Sequence, residues 1–146
     1  MEFKKVHNDK SISELEGWKW DSSKFPNDST SGIENRFFKL HDIPLNKLEI
    51  DDIRFLINQN SALTFILPIA ILSLEKNFFV ETEYYEGDLI NSILNINLDG
   101  FWNQNLELKN KIISLIIKNQ SQMEFIDLDW ETKKELKSNF KKFIQE

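Results

Sequence analysis

The sequence contains no cysteine, which excludes disulfide bonds and thiolate metal sites and is typical of proteins of a reducing cytoplasm. Only four glycines and three prolines occur among the 146 residues. Because tight turns use these residue types, a fold built from β-hairpins is disfavoured. The longest apolar stretch, residues 63–74, is shorter than the ~20 residues that cross a bilayer, and residues 1–9 do not resemble a signal peptide. We therefore expect a cytoplasmic protein with no membrane contact.

What is present fits a folded globular protein. Hydrophobic residues make up 40% of the chain and charged residues 29%, and no repeat or linker divides it. Apolar residues recur mostly at helical spacing. We therefore predict an all-α fold, a single-domain helical bundle of about five to seven helices over residues 1–146.

The helices are predicted from apolar spacing and capping residues. They begin near Ser11, Ile33, Asp51, Leu63, Leu89, Asn105 and Trp130. Pro68 is expected to kink the apolar helix or to start a new one, and Asp88 and Asp129 are expected to act as N-caps. Four side chains are expected to dock the last helix onto the core: Trp130, Leu136, Phe140 and Phe143.

The net charge of -6 is concentrated in one segment. Residues 75–107, which we call the acidic stretch, contain seven acidic residues and a single basic residue, Lys76. A concentrated negative field repels nucleic acid and speeds encounter with basic proteins. We expect a protein partner rather than nucleic acid, although a plain solvated acidic face fits the same charge pattern.

Catalytic and cofactor motifs are absent from the sequence. The two histidines, His7 and His41, are far apart and fall in no metal-ligand pattern. There is no glycine-rich phosphate loop or nucleophile elbow, and the carboxylates near Glu81 do not follow the order of a calcium loop. We therefore expect no enzyme activity, no metal and no cofactor.

The most unusual segment lies within the acidic stretch, at residues 78–89. It places two tyrosines among four acidic residues, a combination that suits a protein interface. The candidate partner-binding residues are Glu81, Glu83, Tyr84, Tyr85 and Glu86. Structural roles are favoured for Pro68, Gly87, Asp88 and Trp102. The alternative is a non-catalytic helical adaptor or structural protein whose acidic face only aids solubility.

Four motifs occur in an order that is similar to the order of motifs in one known family. They are Leu15-Glu16-Gly17-Trp18-Lys19-Trp20, then Pro44–Leu48 with Asp52–Asn60, then Leu67–Glu75, and last Tyr85–Leu89 followed by Phe101-Trp102. This ordered set resembles the contact-dependent growth inhibition (CDI) immunity proteins. The sequence departs from the family pattern at Ser61-Ala62, where a glycine is frequent.

The resemblance implies a cytoplasmic protein that binds and neutralises a toxin. The partner would be the C-terminal toxin domain that a neighbouring cell delivers, and such domains are often nucleases with basic substrate-binding surfaces. The candidate residues above then become candidate toxin-binding residues. The last helix lies outside the resemblance.

Overall fold

The computed structural model describes residues 9–17 and 32–145. Outside these ranges lie His7, Trp18, Trp20 and most of residues 24–32, a segment rich in turn-forming residues for which the sequence predicts a loop. Within them the chain forms eight α-helices: α1 (Ile12–Glu16), α2 (Gly32–His41), α3 (Ile50–Asn58), α4 (Leu63–Lys76), α5 (Asp88–Leu94), α6 (Phe101–Gln104), α7 (Leu106–Asn119) and α8 (Trp130–Gln145). Two short 3-10 helices, Leu45–Lys47 and Gln120–Phe125, complete the secondary structure of this part of the chain.

The all-α prediction is confirmed. In the two described ranges, β pairing is limited to isolated bridges, Ser11 with Pro44 and Glu81 with Glu86. The helix count exceeds the predicted five to seven because the sequence pattern did not resolve α6, a single turn of four residues. No helix in the described part of the chain is long and apolar enough to cross a membrane.

The chain divides into two compact units, Met1–Asp52 and Ile53–Glu146. The prediction that residues 1–146 form one domain therefore stays a prediction. In the first unit, Ser11 opens α1 with a capping box that also uses Glu14, as its sequence position indicated. Arg36 forms an ion pair with Asp52 at 3.2 Å. Ile33, near which the sequence predicts the start of α2, is exposed.

His41 has a structural position in the first unit. Its ring is buried against Phe37, and Nδ1 donates a hydrogen bond to the Phe37 carbonyl oxygen at 2.6 Å. A buried imidazole that packs against a ring and makes such a hydrogen bond has a structural role.

In the second unit, α4 is the most apolar helix, and its buried residues include Ile66, Leu67, Ala70 and Ile71. Pro68 lies inside this helix, which continues without a break from Leu63 to Lys76. Of the two alternatives expected for Pro68, a kink or a new helix start, the second is therefore excluded. Proline removes one backbone donor, and the tight apolar packing of α4 offsets that loss.

The turn before α4 has a left-handed backbone at Asn60 and Ala62, and it includes Ser61-Ala62, where the sequence departs from the resemblance. Ala62 is the N-cap of α4 and has φ +50, in the left-handed region, as has Asn60 at φ +53. Glycine adopts this region without the penalty that a Cβ imposes. A glycine would therefore fit the backbone geometry of this turn without strain.

Helix α8 buries the predicted stripe of Leu136, Phe140 and Phe143. Phe140 lies against Phe78 and Phe79, with ring centroids 5.8 and 6.4 Å apart. Trp130 was expected to join this stripe, and that expectation is wrong because its side chain is 71% exposed. Asp129 precedes α8, and its Oδ2 accepts a hydrogen bond from Thr132 N at 3.1 Å, as expected of a cap.

Candidate functional site

The candidate residues lie on one short loop, residues 81–86, which we call the acidic loop. An antiparallel bridge between Glu81 and Glu86 closes it, and Gly87 N donates to the Phe79 carbonyl oxygen at 3.0 Å. Gly87 has φ +90, and a Cβ added there would lie 3.1 Å from Cδ2 of Leu136 on α8. The backbone conformation thus favours glycine at the end of the loop, and a Cβ there would also require Leu136 to shift by a few tenths of an ångström.

Asp88 anchors the acidic loop. Its Oδ1 accepts a hydrogen bond from Thr82 N at 2.8 Å, and its Oδ2 accepts from Thr82 Oγ1 at 2.6 Å and from Tyr84 N at 3.0 Å. The prediction that Asp88 is the N-cap of α5 is wrong, because Gly87 occupies that position and Asp88 is the first helical residue. Its carboxylate serves the preceding loop and not the helix.

Arg54 approaches the same carboxylate from α3. Its Nε lies 3.8 Å from Asp88 Oδ2, and its Nη2 lies 3.5 Å from Glu83 Oε1. The side chain of Arg54 is only 9% exposed, and Nε makes no hydrogen bond. A buried guanidinium of this kind needs nearby negative charge, which Asp88 and Glu83 supply.

The five candidate residues differ in how far they are open to solvent. Glu81, Glu83 and Tyr84 are exposed, whereas Tyr85 and Glu86 are half-buried. Glu83 pairs with Arg54, while neither Glu81 nor Glu86 forms a side-chain ion pair within the described residues. Within the described residues, the loop's negative charge that is not balanced by an ion pair is therefore carried by Glu81, which is exposed, and Glu86, which is half-buried.

Tyr85 ties the acidic loop to the helices behind it. Its hydroxyl oxygen accepts a hydrogen bond from Asn91 Nδ2 at 2.8 Å, and Asn91 Oδ1 accepts one from Asn139 Nδ2 at 2.8 Å. Burial raises the pKa of the Tyr85 hydroxyl, and the negative charges of Glu135 and Asp88 raise it further, against the lowering effects of Asn91 and Arg54. Tyr85 therefore points inward and supports the loop.

The remaining structural candidates lie away from the acidic loop. Trp102 is half-buried in α6 and makes edge contacts with Phe101 and Phe143 at centroid distances of 5.0 and 5.1 Å. Pro68 is buried within α4. Among the described residues, no group of three or more histidine, aspartate or glutamate side chains is placed to hold a metal ion.

Arg54 is the site residue that sequence reasoning missed. The sequence carries a signal for it, because a lone arginine stands inside the apolar run Ile53-Arg54-Phe55-Leu56-Ile57. All five residues of this run are buried in α3. A cation in such a run needs a buried acid, but its partner Asp88 is distant in sequence. The two motifs that contain Arg54 and Asp88 therefore meet at the base of the acidic loop.

Comparison with known proteins shows the family of this chain. No curated protein matches the chain significantly. The family model of CDI immunity proteins matches residues 14–112, a range that includes Arg54, the acidic loop and Asp88 and ends within α7. Since this range covers more than half of the sequence, the chain belongs to the family of CDI immunity proteins.

Proposed function

We propose that this protein neutralises the C-terminal domain of its cognate CDI toxin by binding it through the acidic loop. The observation that carries the proposal is the exposed, negatively charged loop on a fixed base, with Glu81 and Tyr84 open to solvent and Asp88 holding the backbone behind them. Family membership supports the class of partner. A binding loop that is already ordered loses less conformational entropy on association.

We infer further that the toxin domain is a nuclease whose substrate-binding surface is basic. The support is charge complementarity, since the acidic stretch carries seven acids and one lysine. A basic surface that attracts nucleic acid also attracts such a stretch, and the two then compete for it. Protection in this form uses binding alone, without catalysis, cofactor or nucleic acid, and takes place in the cytoplasm where the toxin acts.

The test uses the toxin domain encoded by the reading frame directly upstream and a Glu81→Gln/Glu86→Gln variant. Glu83 is left intact because it pairs with Arg54, and its removal would disturb the base of the loop. We expect the variant to keep its unfolding midpoint and to associate with the toxin about tenfold more slowly at low salt. Stopped-flow or surface plasmon resonance measures the rate, and digestion of RNA and DNA by the toxin measures protection.

The matched control is Asp99→Asn/Glu107→Gln, which removes the same charge from exposed positions of the acidic stretch outside the loop. It should associate nearly as fast as the wild type. Equal slowing in both variants would mean that only the overall charge matters. If neither variant binds more weakly, the acidic face only aids solubility, as in a helical adaptor, or the interface lies on the lysine-bearing helix α8.

A further inference from the structure

Tyr84 is the most exposed side chain of the acidic loop that is also held in a fixed position. Its residue surface is 69% exposed, and the guanidinium carbon of Arg54 lies 4.6 Å from its ring centroid. A guanidinium stacked on an aromatic face is a recognised attractive contact. One face of the ring therefore rests on Arg54, and the exposure of the residue requires that the other face is open.

Two independent contacts fix Tyr84. Asp88 accepts the hydrogen bond from its backbone N–H at 3.0 Å, and Arg54 supports its ring. Arg54 is itself fixed between Asp88 at 3.8 Å and Glu83 at 3.5 Å. Both the backbone and the ring of this exposed residue are thus set by one buried ion cluster.

Burial of the Arg54 side chain has a free-energy cost that its own hydrogen bonds do not offset. Its side chain is more than nine-tenths buried, and Nε is buried without a hydrogen bond. Buried polar atoms in folded proteins are nearly always satisfied, so an exception calls for a reason. The stacking contact with the ring of Tyr84 is such a reason, because stacking needs the flat face of the guanidinium and not its N–H edge.

The open face of Tyr84 suits one kind of side chain. An aromatic face attracts a cation, and the carboxylates of Glu81 and Glu86 lie on the same loop without ion pairs of their own in the described residues. Tyrosines in fixed positions are also frequent among the residues that dominate binding energy. A lysine or arginine side chain meets both requirements.

We propose that Tyr84 is the anchor of the toxin contact and receives a basic side chain of the toxin on its open face. Arg54 is the positioning residue that holds the ring in place. This inference rests on the proposed function, because it names the contact that the acidic loop makes with the same partner. Arg54 acts through Tyr84 and does not touch the toxin.

The first experiment measures dissociation of the upstream toxin domain from Tyr84 variants. Tyr84→Ala should raise the dissociation rate about 30-fold, a size typical of an interface hot spot. Tyr84→Phe keeps the aromatic face and should stay within about threefold of the wild type. Both variants change an exposed side chain, so the unfolding midpoint should remain close to that of the wild type.

The second experiment tests whether Arg54 acts through Tyr84. Arg54→Lys keeps the charge beside Asp88 but loses the flat stacking surface, and it should raise the dissociation rate about fivefold. In the Tyr84→Ala background the same substitution should cause no further rise, because the ring that it positions is gone. A role confined to stability would produce the same rise in both backgrounds. Arg36→Lys, at the ion pair with Asp52, is the matched control.

The outcomes separate this inference from the proposed function. If Tyr84→Ala dissociates at the wild-type rate while Glu81→Gln/Glu86→Gln weakens binding, the acidic loop is the interface and Tyr84 is not its anchor. If all of these variants bind like the wild type, the toxin contacts another surface and both proposals are overturned. Failure of the wild type to bind the toxin domain likewise overturns both.

Discussion

At the scale of single residues, Asp88 has the largest structural role in the acidic loop. It is only 3% exposed and accepts three hydrogen bonds from Thr82 and Tyr84 while lying beside Arg54. Its sequence context, directly before an apolar helical pattern, is typical of an N-cap. That local pattern carried no information on Thr82 or on Arg54, which reach the carboxylate only through tertiary structure.

We predict that Asp88→Ala lowers the free energy of unfolding by about 3–5 kcal/mol, because it removes the buried carboxylate that lies beside the buried Arg54. Loss of an N-cap alone costs about 1 kcal/mol. Chemical denaturation measures the difference, with Glu81→Ala as a control on the exposed side of the same loop. A loss near 1 kcal/mol would mean that Arg54 finds another partner or becomes solvated.

Tyr85 gives a prediction on pH. Burial of its hydroxyl raises its pKa above the usual value near 10, so the folded protein favours the neutral phenol. Its contribution to stability is therefore complete below the pKa of the unfolded chain and is lost as the pH rises through the raised pKa of the folded state.

The measurement is the ultraviolet absorbance of tyrosinate in Tyr84→Phe, in which Tyr85 is the only tyrosine left. We expect its ionisation midpoint to lie above that of free tyrosine and to be accompanied by a fall in stability. The Tyr85→Phe variant identifies the signal of Tyr84 in the wild type. A midpoint at or below the usual value would show that the hydroxyl is open to water.

At the scale of helices, α8 shows which part of a pattern is reliable. Leu136, Phe140 and Phe143 repeat at helical spacing and are all buried. Trp130 is aromatic but stands six positions before Leu136, a separation that places it on a different face, where it shares a stripe with Lys134, Lys137 and Lys141. The error about Trp130 came from its residue type, since its spacing indicated exposure.

We predict that Phe140→Ala lowers the free energy of unfolding by about 3–5 kcal/mol, because it empties the space between α8 and the rings of Phe78 and Phe79. Trp130→Ala removes a larger but exposed ring from the same helix and should change stability by roughly 0.5 kcal/mol or less. Denaturant midpoints measure both variants. Equal losses would contradict the burial pattern of α8.

We predict that replacing alanine by glycine has opposite effects at two positions, one in the turn between α3 and α4 and one inside α4. Ala62 has φ +50, where a Cβ costs roughly 1–2 kcal/mol, so Ala62→Gly should raise the free energy of unfolding by up to about 1 kcal/mol after its entropic cost. Ala70→Gly, inside α4, should lower it by about 1 kcal/mol. Thermal unfolding measures both, and destabilisation by Ala62→Gly would show that the turn is not strained.

At the scale of the whole molecule, composition and periodicity were enough to predict an all-α fold and the place of most helices. They also located the acidic stretch. They did not show that its charge is divided, with Glu83 and Asp88 directed at Arg54 and Glu75 within 3.6 Å of Lys111. Pairing of this kind depends on the tertiary fold, which brings together residues that no local pattern relates.

This division of charge leads to a prediction on salt. The acids of the loop that are not balanced by Arg54, above all the exposed Glu81, generate a field that ions screen. The screening length falls from about 10 Å at 0.1 M salt to about 3 Å at 1 M. The rate of association with the toxin domain should therefore fall steeply as salt rises. The dissociation rate should change little, because screening acts on the approach of the partners more than on contacts from which water is already excluded.

Comparison of variants shows which charges guide the approach. The logarithm of the association rate should depend less steeply on salt in Glu81→Gln/Glu86→Gln than in the wild type, and the two rates should converge at high salt. Glu83 and Asp88 are already balanced by Arg54, so they contribute little to this field. Salt-independent association of the wild type would contradict electrostatic guidance, and an equal effect of salt on dissociation would place the same charges in direct contact with the toxin.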